Sequence, residues 1–409
     1  MSEIILLVNG PGELYTWARP LVQALREAGG ATPRDLRVVL GLLPCPFASG
    51  YERGIAETMP VDDVVSVAEN LEFIAGGRKP RAYQRSASGL VIGLGGDVSF
   101  PGRIGSRLGY PAWRYSFEPY WNKGLEKLLV HDVRTLEKAL KAGANAENIG
   151  NLTADALQLE QPVDKPEGLD VLIIPGSRSF QVKHLLPFFA GVAQDIAARV
   201  GNVRFHVPRS RLVTDEDWAT GLSGRLVADM GGVALVGVRL VSPLGLESQT
   251  LETPAGVQIR VYDEEYRYGL MKLADVALTI PGTNTLELGI AGVPSIVCLP
   301  LQKMELIPIE NPLRYLEVIP VIGKPLKRRL VEIFLNRFEH VSLPNIIADE
   351  AIQIELRGDL STARIAVEAV RLLEQPTERA RMISRLEATM PKPGTARRLA
   401  AMMLERVAG

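Results

Sequence analysis

The amino-acid sequence predicts an α/β chain made of two Rossmann-like halves, each a doubly wound parallel sheet. Three observations carry that reading. Short β-rich apolar runs alternate with helix-periodic stretches over most of the length, which is the pattern of parallel βαβ units. Several of these runs end in small-residue turns, among them NGPGE (9–13), GLGGDVSFPG (93–102), PGSR (175–178) and TIPGT (279–283). A length of 409 residues also exceeds one ordinary core, so two domains are expected.

Taken in order, the first half shows strand patterns near 4–9, 37–42, 64–67, 89–94, 112–115 and 127–130. Helical patterns fall between them, for instance over 17–28 with Thr16 as the expected cap. The polar, proline-bearing stretch LQLEQPVDKPEGLD (157–170) reads as a linker. The expected division is therefore an N-terminal domain over 1–157, a linker over 158–169 and a C-terminal domain over 170–389. The second alternation opens at Val171 and continues through 203–207, 276–280 and 295–299. Residues 232–262 interrupt it with two apolar-alternating runs around a Ser/Pro/Gly/Thr-rich middle, which predicts an inserted hairpin or loop. From Asp359 the pattern is helical. MPKPGT (390–395) then breaks it, and the terminal helix within 390–409 is expected to pack back on the N-terminal domain or on a partner subunit.

Composition narrows the function classes. The net charge of −1, from 46 basic and 47 acidic side chains, creates no field that would gather nucleic acid. Cys45 and Cys298 stand far apart without CxxC spacing, so neither a zinc site nor a disulfide framework is expected, and a reducing cytoplasm fits. The N-terminus MSEIILLVNGPGE lacks a basic n-region, and no apolar run approaches the roughly 20 residues of a membrane span. Contact with a membrane would be peripheral. Two stretches are candidates for it: LLPCPFASGY (42–51) and the basic amphipathic GKPLKRRLVEIFLNRF (323–338), with Lys327, Arg328 and Arg329.

Open α/β sheets bind ligands beyond the carboxyl ends of their strands, so the four turns are the candidate sites. In NGPGE, Gly10 and Gly12 allow close approach to the backbone and Glu13 stands at the mouth; a plain strand-to-helix turn is the alternative. Asp97 follows a buried strand, where base rates favour a helix N-cap over a catalytic base. PGSR leaves backbone N–H groups at a helix N-terminus beside Arg178, a setting that suits phosphate, although an ordinary βα turn would read the same way. In TIPGTNTLELG a helix opens after Gly282 and Thr283, and Glu287, one turn in, can accept hydrogen bonds from a ribose diol. The last two turns together describe a nucleotide diphosphate site. TDEDW (214–218) contains Asp-x-Asp, which could hold a metal, but three acids at a helix start complement the dipole without one. His131, His184, His206 and His340 share no metal-ligand spacing; His131 could line the cleft, with a hydrogen-bonded structural role expected.

PGSR before a helix, then GTNTLE, then VSLPNIIADE (341–350) resembles, in that order, the C-terminal half of the lipid-A-disaccharide synthase family. PGE at 11–13, GGD at 95–97 and IGNLTADA (149–156) resemble its N-terminal half, the last matching an Ile-Gly-His-x-x-x-Asp pattern. The resemblance is thin per residue but ordered over nearly the whole chain. It implies a GT-B fold, two Rossmann-like domains facing each other across a cleft, and an inverting glycosyltransferase without metal or cofactor. The donor would be a UDP-sugar and the partner a lipid-linked acceptor at the membrane surface, on the cytoplasmic side. On matching positions, the resemblance implies Asp97 as base with Glu13 beside it, and Gly10, Gly12 and Asn151 on the acceptor side. Gly176, Ser177, Arg178, Gly282, Thr283, Asn284 and Thr285 would take the nucleotide sugar. Glu287 would hold the ribose, and Asn345 would orient the nucleotide or sugar. LYTW after Glu13, SFEPYWN (116–122), Asn151 in place of histidine, and the extra 232–262 depart from the family and leave the acceptor's identity open. A UDP-sugar 2-epimerase or a catalytically silent nucleotide-sugar binder are the alternatives; few histidines at the loops count against the epimerase. A homodimer stays open.

Overall fold

The computed structural model describes residues 2–28, 36–45, 50–159, 163, 165, 167–239, 249–302 and 339–408. The basic stretch at 323–338 and the middle of 42–51 lie outside them. Two compact units form: Met1–Leu159 with Pro391–Gly409, and Glu160–Met390.

The first unit contains strands β1 (Ser2–Val8), β2 (Leu36–Leu42), β3 (Asp63–Val65), β4 (Ser88–Leu94), β5 (Ala112–Ser116), β6 (Lys127–Val130) and β7 (Ala146–Asn148). They lie in the order β3-β2-β1-β4-β5-β6-β7, and every pairing is parallel. Ile4 through Val8 are buried without alternation, as befits a strand covered on both faces. Strand order reverses at β1, where Val8 stands opposite both Leu42 and Leu94. The loops after β1 and β4 therefore leave the sheet at one level, on either side of a topological switch point.

The second unit contains β8 (Leu169–Ile174), β9 (Val203–Arg209), β10 (Val236–Arg239), β11 (Gln249–Glu252), β12 (Gln258–Asp263), β13 (Val276–Thr279), β14 (Ser295–Pro300) and β15 (Ile354–Gly358). Their order is β10-β11-β12-β9-β8-β13-β14-β15, with the reversal between β8 and β13. Ile174 pairs with Thr279, so the PGSR and PGT turns also start level.

Three expectations need correction. The interruption at 232–262 splits: β10 and β11 are an antiparallel addition at the sheet edge, but β12 pairs parallel with β9 and belongs to the main sheet. Val67 is not strand, because Ser66 and Glu69 form a capping box that starts helix Val67–Ile74. Thr16 caps nothing: a helical turn already begins at Pro11, and the Thr16 hydroxyl donates to the Gly12 carbonyl at 2.8 Å within a π-helical stretch, Leu14–Ala18. Such wide turns insert a residue into the helical ladder and occur disproportionately near functional sites.

The last helix, Thr395–Ala408, packs on helix Arg19–Ala28 of the first unit and buries Leu399, Ala400 and Met403. Asp155 holds its start, accepting from the Gly394 and Ala396 N–H groups at 2.7 and 3.2 Å. At its far end, the Ser88 hydroxyl donates to the Val407 carbonyl at 2.6 Å. Among the described residues, no helix is long and apolar enough to cross a membrane. Replacing the cap, Asp155→Ala, should lower the unfolding free energy by about 1–2 kcal/mol. Urea denaturation measures this, and an unchanged midpoint would deny Asp155 its capping role.

Candidate active site

In the first unit, two loops at the switch point close on one glycine. Gly95 has a left-handed backbone, φ +76°, and follows β4 directly. A Cβ there would stand 3.1 Å from the Trp17 ring, 3.3 Å from Asn9 Oδ1 and 3.6 Å from Glu13 Cγ, so the position has neither the conformation nor the space for a side chain. The Glu13 carboxylate folds back over Gly10, where any Cβ would overlap it; at Gly12 a Cβ would meet nothing. Gly10 is therefore needed for the carboxylate's position and Gly12 is not. Burial pushes the Glu13 carboxyl above the usual range, partly offset by a hydrogen bond from its own backbone.

Asp97 is exposed and turned onto Ser99, whose backbone N–H and hydroxyl donate to Oδ1 at 2.7 and 2.6 Å. These bonds, the hydroxyl's first, hold its carboxyl below the usual range. It is not the N-cap of helix Phe100–Leu108, a position that Ser99 occupies. Beneath it Arg114, almost wholly buried, donates to the Gly96 carbonyl at 2.9 Å and to the Tyr120 carbonyl at 3.0 Å, which ties the loops after β4 and β5 together.

An aromatic wall stands at the same edge. Trp17 meets Phe117 at 4.9 Å between centroids, and Phe117 stacks on His131 at 4.0 Å. His131 Nε2 lies 2.6 Å from an Asp132 carboxylate oxygen. Sequence reasoning missed this wall. Its only signal was that LYTW and SFEPYWN both follow strands that neighbour the switch point. Asn151 is buried, and its Oδ1 accepts from the Thr153 N–H at 3.0 Å.

In the second unit, β8 runs through Pro175 and the left-handed Gly176, φ +106°, into helix Ser179–Ala197. Ser177 and Arg178 are half-buried at the helix start, where Gln181 Oε1 accepts from the Arg178 N–H at 3.1 Å. One strand away, Gly282 and Thr283 are exposed and open helix Thr283–Ile290. Two helix N-termini thus stand side by side beyond β8 and β13, an arrangement that attracts an anion.

Two other expected ligands in this unit, Thr285 and Asn345, are fully engaged within the protein. Thr285 is fully buried; its hydroxyl donates to the Gly282 carbonyl at 2.8 Å and accepts from the Leu343 N–H at 3.0 Å, so it braces the loop from below. Asn345 is fully buried as well. Its Nδ2 donates to the Gln353 carbonyl and to Glu355 Oε1, both at 2.9 Å, and its Oδ1 accepts from the Ile352 and Gln353 N–H groups at 2.9 and 2.8 Å. All four hydrogen-bonding positions of the side-chain amide are thus taken within the protein. Asn284 Oδ1 accepts from Arg267 at 2.7 Å, and Glu287, 3 % exposed, pairs with the same guanidinium.

The acids of TDEDW serve the helix Asp215–Leu222: Thr214 caps it, Asp217 pairs with Lys183 at 2.5 Å and Asp215 pairs with Arg209. His206, in the central strand β9, is bonded to the buried Asp170 of the neighbouring β8 at 2.8 Å. A cavity of about 490 Å³ runs along β15 between Gln353, Glu355, Arg357, Arg381 and Arg385, and touches neither glycine turn. The Asn345→Ala change strands the Ile352 and Gln353 N–H groups in the interior. It should cost about 2–3 kcal/mol of unfolding free energy, read from chemical denaturation; a loss below 0.5 kcal/mol would mean that water replaces the amide.

The profile of the family described as lipid-A-disaccharide synthetase matches residues 242–391. Lipid-A-disaccharide synthase of Geobacter sulfurreducens is 28% identical over 277 residues, 65% of this chain and 58% of that protein, so the match spans less than two thirds of the relative. The Anaeromyxobacter dehalogenans synthase is 26% identical over 442 aligned positions, 99% of this chain and 97% of its own. Among solved structures, a putative UDP-N-acetylglucosamine 2-epimerase from Listeria monocytogenes superposes with a TM-score of 0.58 at 13% identity, covering 98% of this chain and 96% of that one. MurG from Acinetobacter baumannii gives 0.52 at 11% identity, covering 99% and 100%. Those two likenesses concern the fold, a pair of α/β units of the GT-B kind. By sequence, the chain is similar to lipid-A-disaccharide synthases, at 28% identity or less to the two named here.

Proposed function

We propose that this protein is a glycosyltransferase of the lipid-A-disaccharide synthase kind, moving a sugar from a UDP-sugar to the hydroxyl of a lipid-linked acceptor with inversion. The observation that carries the reading is the pair of helix N-termini at the second unit's switch point, one of them bearing Arg178. Charge accumulates on the diphosphate as the sugar–phosphate bond breaks, and two dipole ends with a guanidinium stabilise it. That supply of positive charge takes the place of a divalent cation, so the reaction is proposed to need neither metal nor cofactor. The structural neighbour named as a putative UDP-N-acetylglucosamine 2-epimerase shares this fold, which fits a uridine nucleotide as the donor's leaving part.

The acceptor oxygen attacks the anomeric carbon, UDP departs, and the hydroxyl proton passes to a carboxylate. Asp97 is the proposed base. It is ionised at neutral pH and its orientation is set by Ser99. Glu13, half-buried and the stronger base of the two because desolvation raises its carboxyl, shapes the acceptor side. Gly10 gives that carboxylate its room. The aromatic wall of Trp17 and Phe117 offers an apolar face to the acceptor. Because the acceptor is a lipid, the protein is proposed to work at the cytoplasmic face of a membrane without crossing it.

Incubation with UDP-sugars, with and without a bacterial lipid extract, tests the whole reading. Acceptor-dependent UDP release is expected, and EDTA should leave it intact. Acceptor-free epimerisation or binding without turnover would overturn it. Arg178→Ala should weaken UDP binding by about 1.5–3 kcal/mol, the loss of charge-assisted hydrogen bonds; calorimetry showing an unchanged Kd in folded protein would remove Arg178 from the site. Asp97→Asn should abolish turnover with UDP affinity kept. If instead Glu13→Gln alone abolishes turnover and Asp97→Asn does not, the base is Glu13.

A further inference from the structure

Arg267 opens helix Arg267–Leu273 after a short 3-10 turn, Glu264–Tyr266, and its side chain is directed at the helix that begins at Thr283. One guanidinium nitrogen donates to Asn284 Oδ1 at 2.7 Å and to a Glu287 oxygen; the other donates to Glu264 Oε1 at 3.0 Å. The Tyr268 hydroxyl donates to the second Glu287 oxygen at 3.4 Å. Glu264 is 8 % exposed and Glu287 3 %, so both carboxylates are buried, while the Arg267 side chain keeps 14 % exposure. Two carboxylates share a single cation there, which leaves one formal negative charge in excess. Glu264 Oε2 is buried without a hydrogen-bond partner.

A buried cluster with surplus negative charge and spare acceptor positions disfavours phosphate and favours hydroxyl donors. An ionised carboxylate has about four acceptor positions. Arg267 and Tyr268 together engage one on each Glu287 oxygen, which leaves capacity for the two hydroxyls of a diol. Asn345, with every position taken, has no such capacity.

We propose that Arg267 is a positioning residue of the nucleotide site: through Glu287 and Asn284 it holds the acceptor set that recognises the ribose diol, with Glu264 fixing the guanidinium from the other side. The inference rests on the reading of the second unit as a UDP site. A lysine cannot reproduce the fork, because its single nitrogen cannot span Glu264 and the Asn284–Glu287 pair in one plane.

The test is the preference for UDP over 2′,3′-dideoxy-UDP, measured by calorimetry on the full chain. Wild-type protein should bind UDP at least tenfold more tightly than the dideoxy nucleotide. Arg267→Lys should bring that ratio to within twofold of unity and change dideoxy-UDP affinity less than threefold. The double variant Arg267→Gln/Glu264→Gln keeps the cluster's net charge while removing the clamp, and should do the same if the lysine variant fails to fold. Parallel weakening for both nucleotides, or a ratio that survives, would overturn the positioning role. Wild-type protein that binds UDP without ribose preference would overturn the diol assignment and leave the phosphate site standing; wild-type protein that does not bind UDP would refute the nucleotide reading on which both depend.

Discussion

Parallel pairing on both sides of a central strand is the constraint from which the rest of this molecule follows. β1 and β8 each pair on both sides with neighbours running the same way, so the chain must cross back over a sheet face to reach each next strand. Right-handed crossovers in opposite directions from one strand part the flanking helices at its carboxyl end. Level register then brings the loops of the two adjacent strands to one height: Val8 with Leu94 in the first unit, Ile174 with Thr279 in the second. A one-residue slip would turn each strand's side chains to the opposite face and move a glycine turn out of line with its partner.

Around those openings the two units solve different electrostatic problems. The second gathers positive ends, with two helix N-termini and Arg178, and keeps its carboxylates one turn deeper on Arg267. The guanidinium, whose side chain is 14 % exposed, is held charged because Glu287 and Glu264 flank it. The first unit gathers carboxylates instead and places them in unlike settings. Glu13 is desolvated and proton-seeking, whereas Asp97 is solvated and held ionised by Ser99. Unlike settings of this kind push the affinities of two carboxyl groups for a proton apart.

Buried polar side chains do the structural fastening. Asp155 ties the last helix to the first unit, Arg114 joins the loops after β4 and β5, and Asn345 locks the approach to β15 against helix Leu343–Ala348. Each satisfies backbone groups that the interior would otherwise leave unpaired, which costs more than the bond itself contributes. Two of these residues, Asp155 and Asn345, lie in stretches that resemble the lipid-A-disaccharide synthases, so part of that resemblance is scaffold rather than chemistry.

The sequence by itself determined the class of fold, because continuous apolar runs of strand length flanked by helical periodicity leave few arrangements other than parallel βαβ units. It also marked the glycine turns, since only small residues fit where a strand passes sharply into a helix. β7 and β15 escaped notice because AEN and IELRG are polar edge strands, whose membership depends on a neighbour's backbone and not on their own hydrophobicity. Tertiary structure alone decided which polar residues beside the turns are available to a ligand. Asn345, Thr285 and Asn151 read in the sequence like Ser177 and Thr283, yet burial consumes the first three and leaves the last two at the surface or half-buried. Arg267 and Trp17 show the converse. Each reaches its place from a distant part of the chain, Arg267 20 residues from Glu287 and Trp17 136 from Thr153, and contacts across such spans exist only once the sheets have set the helices beside one another.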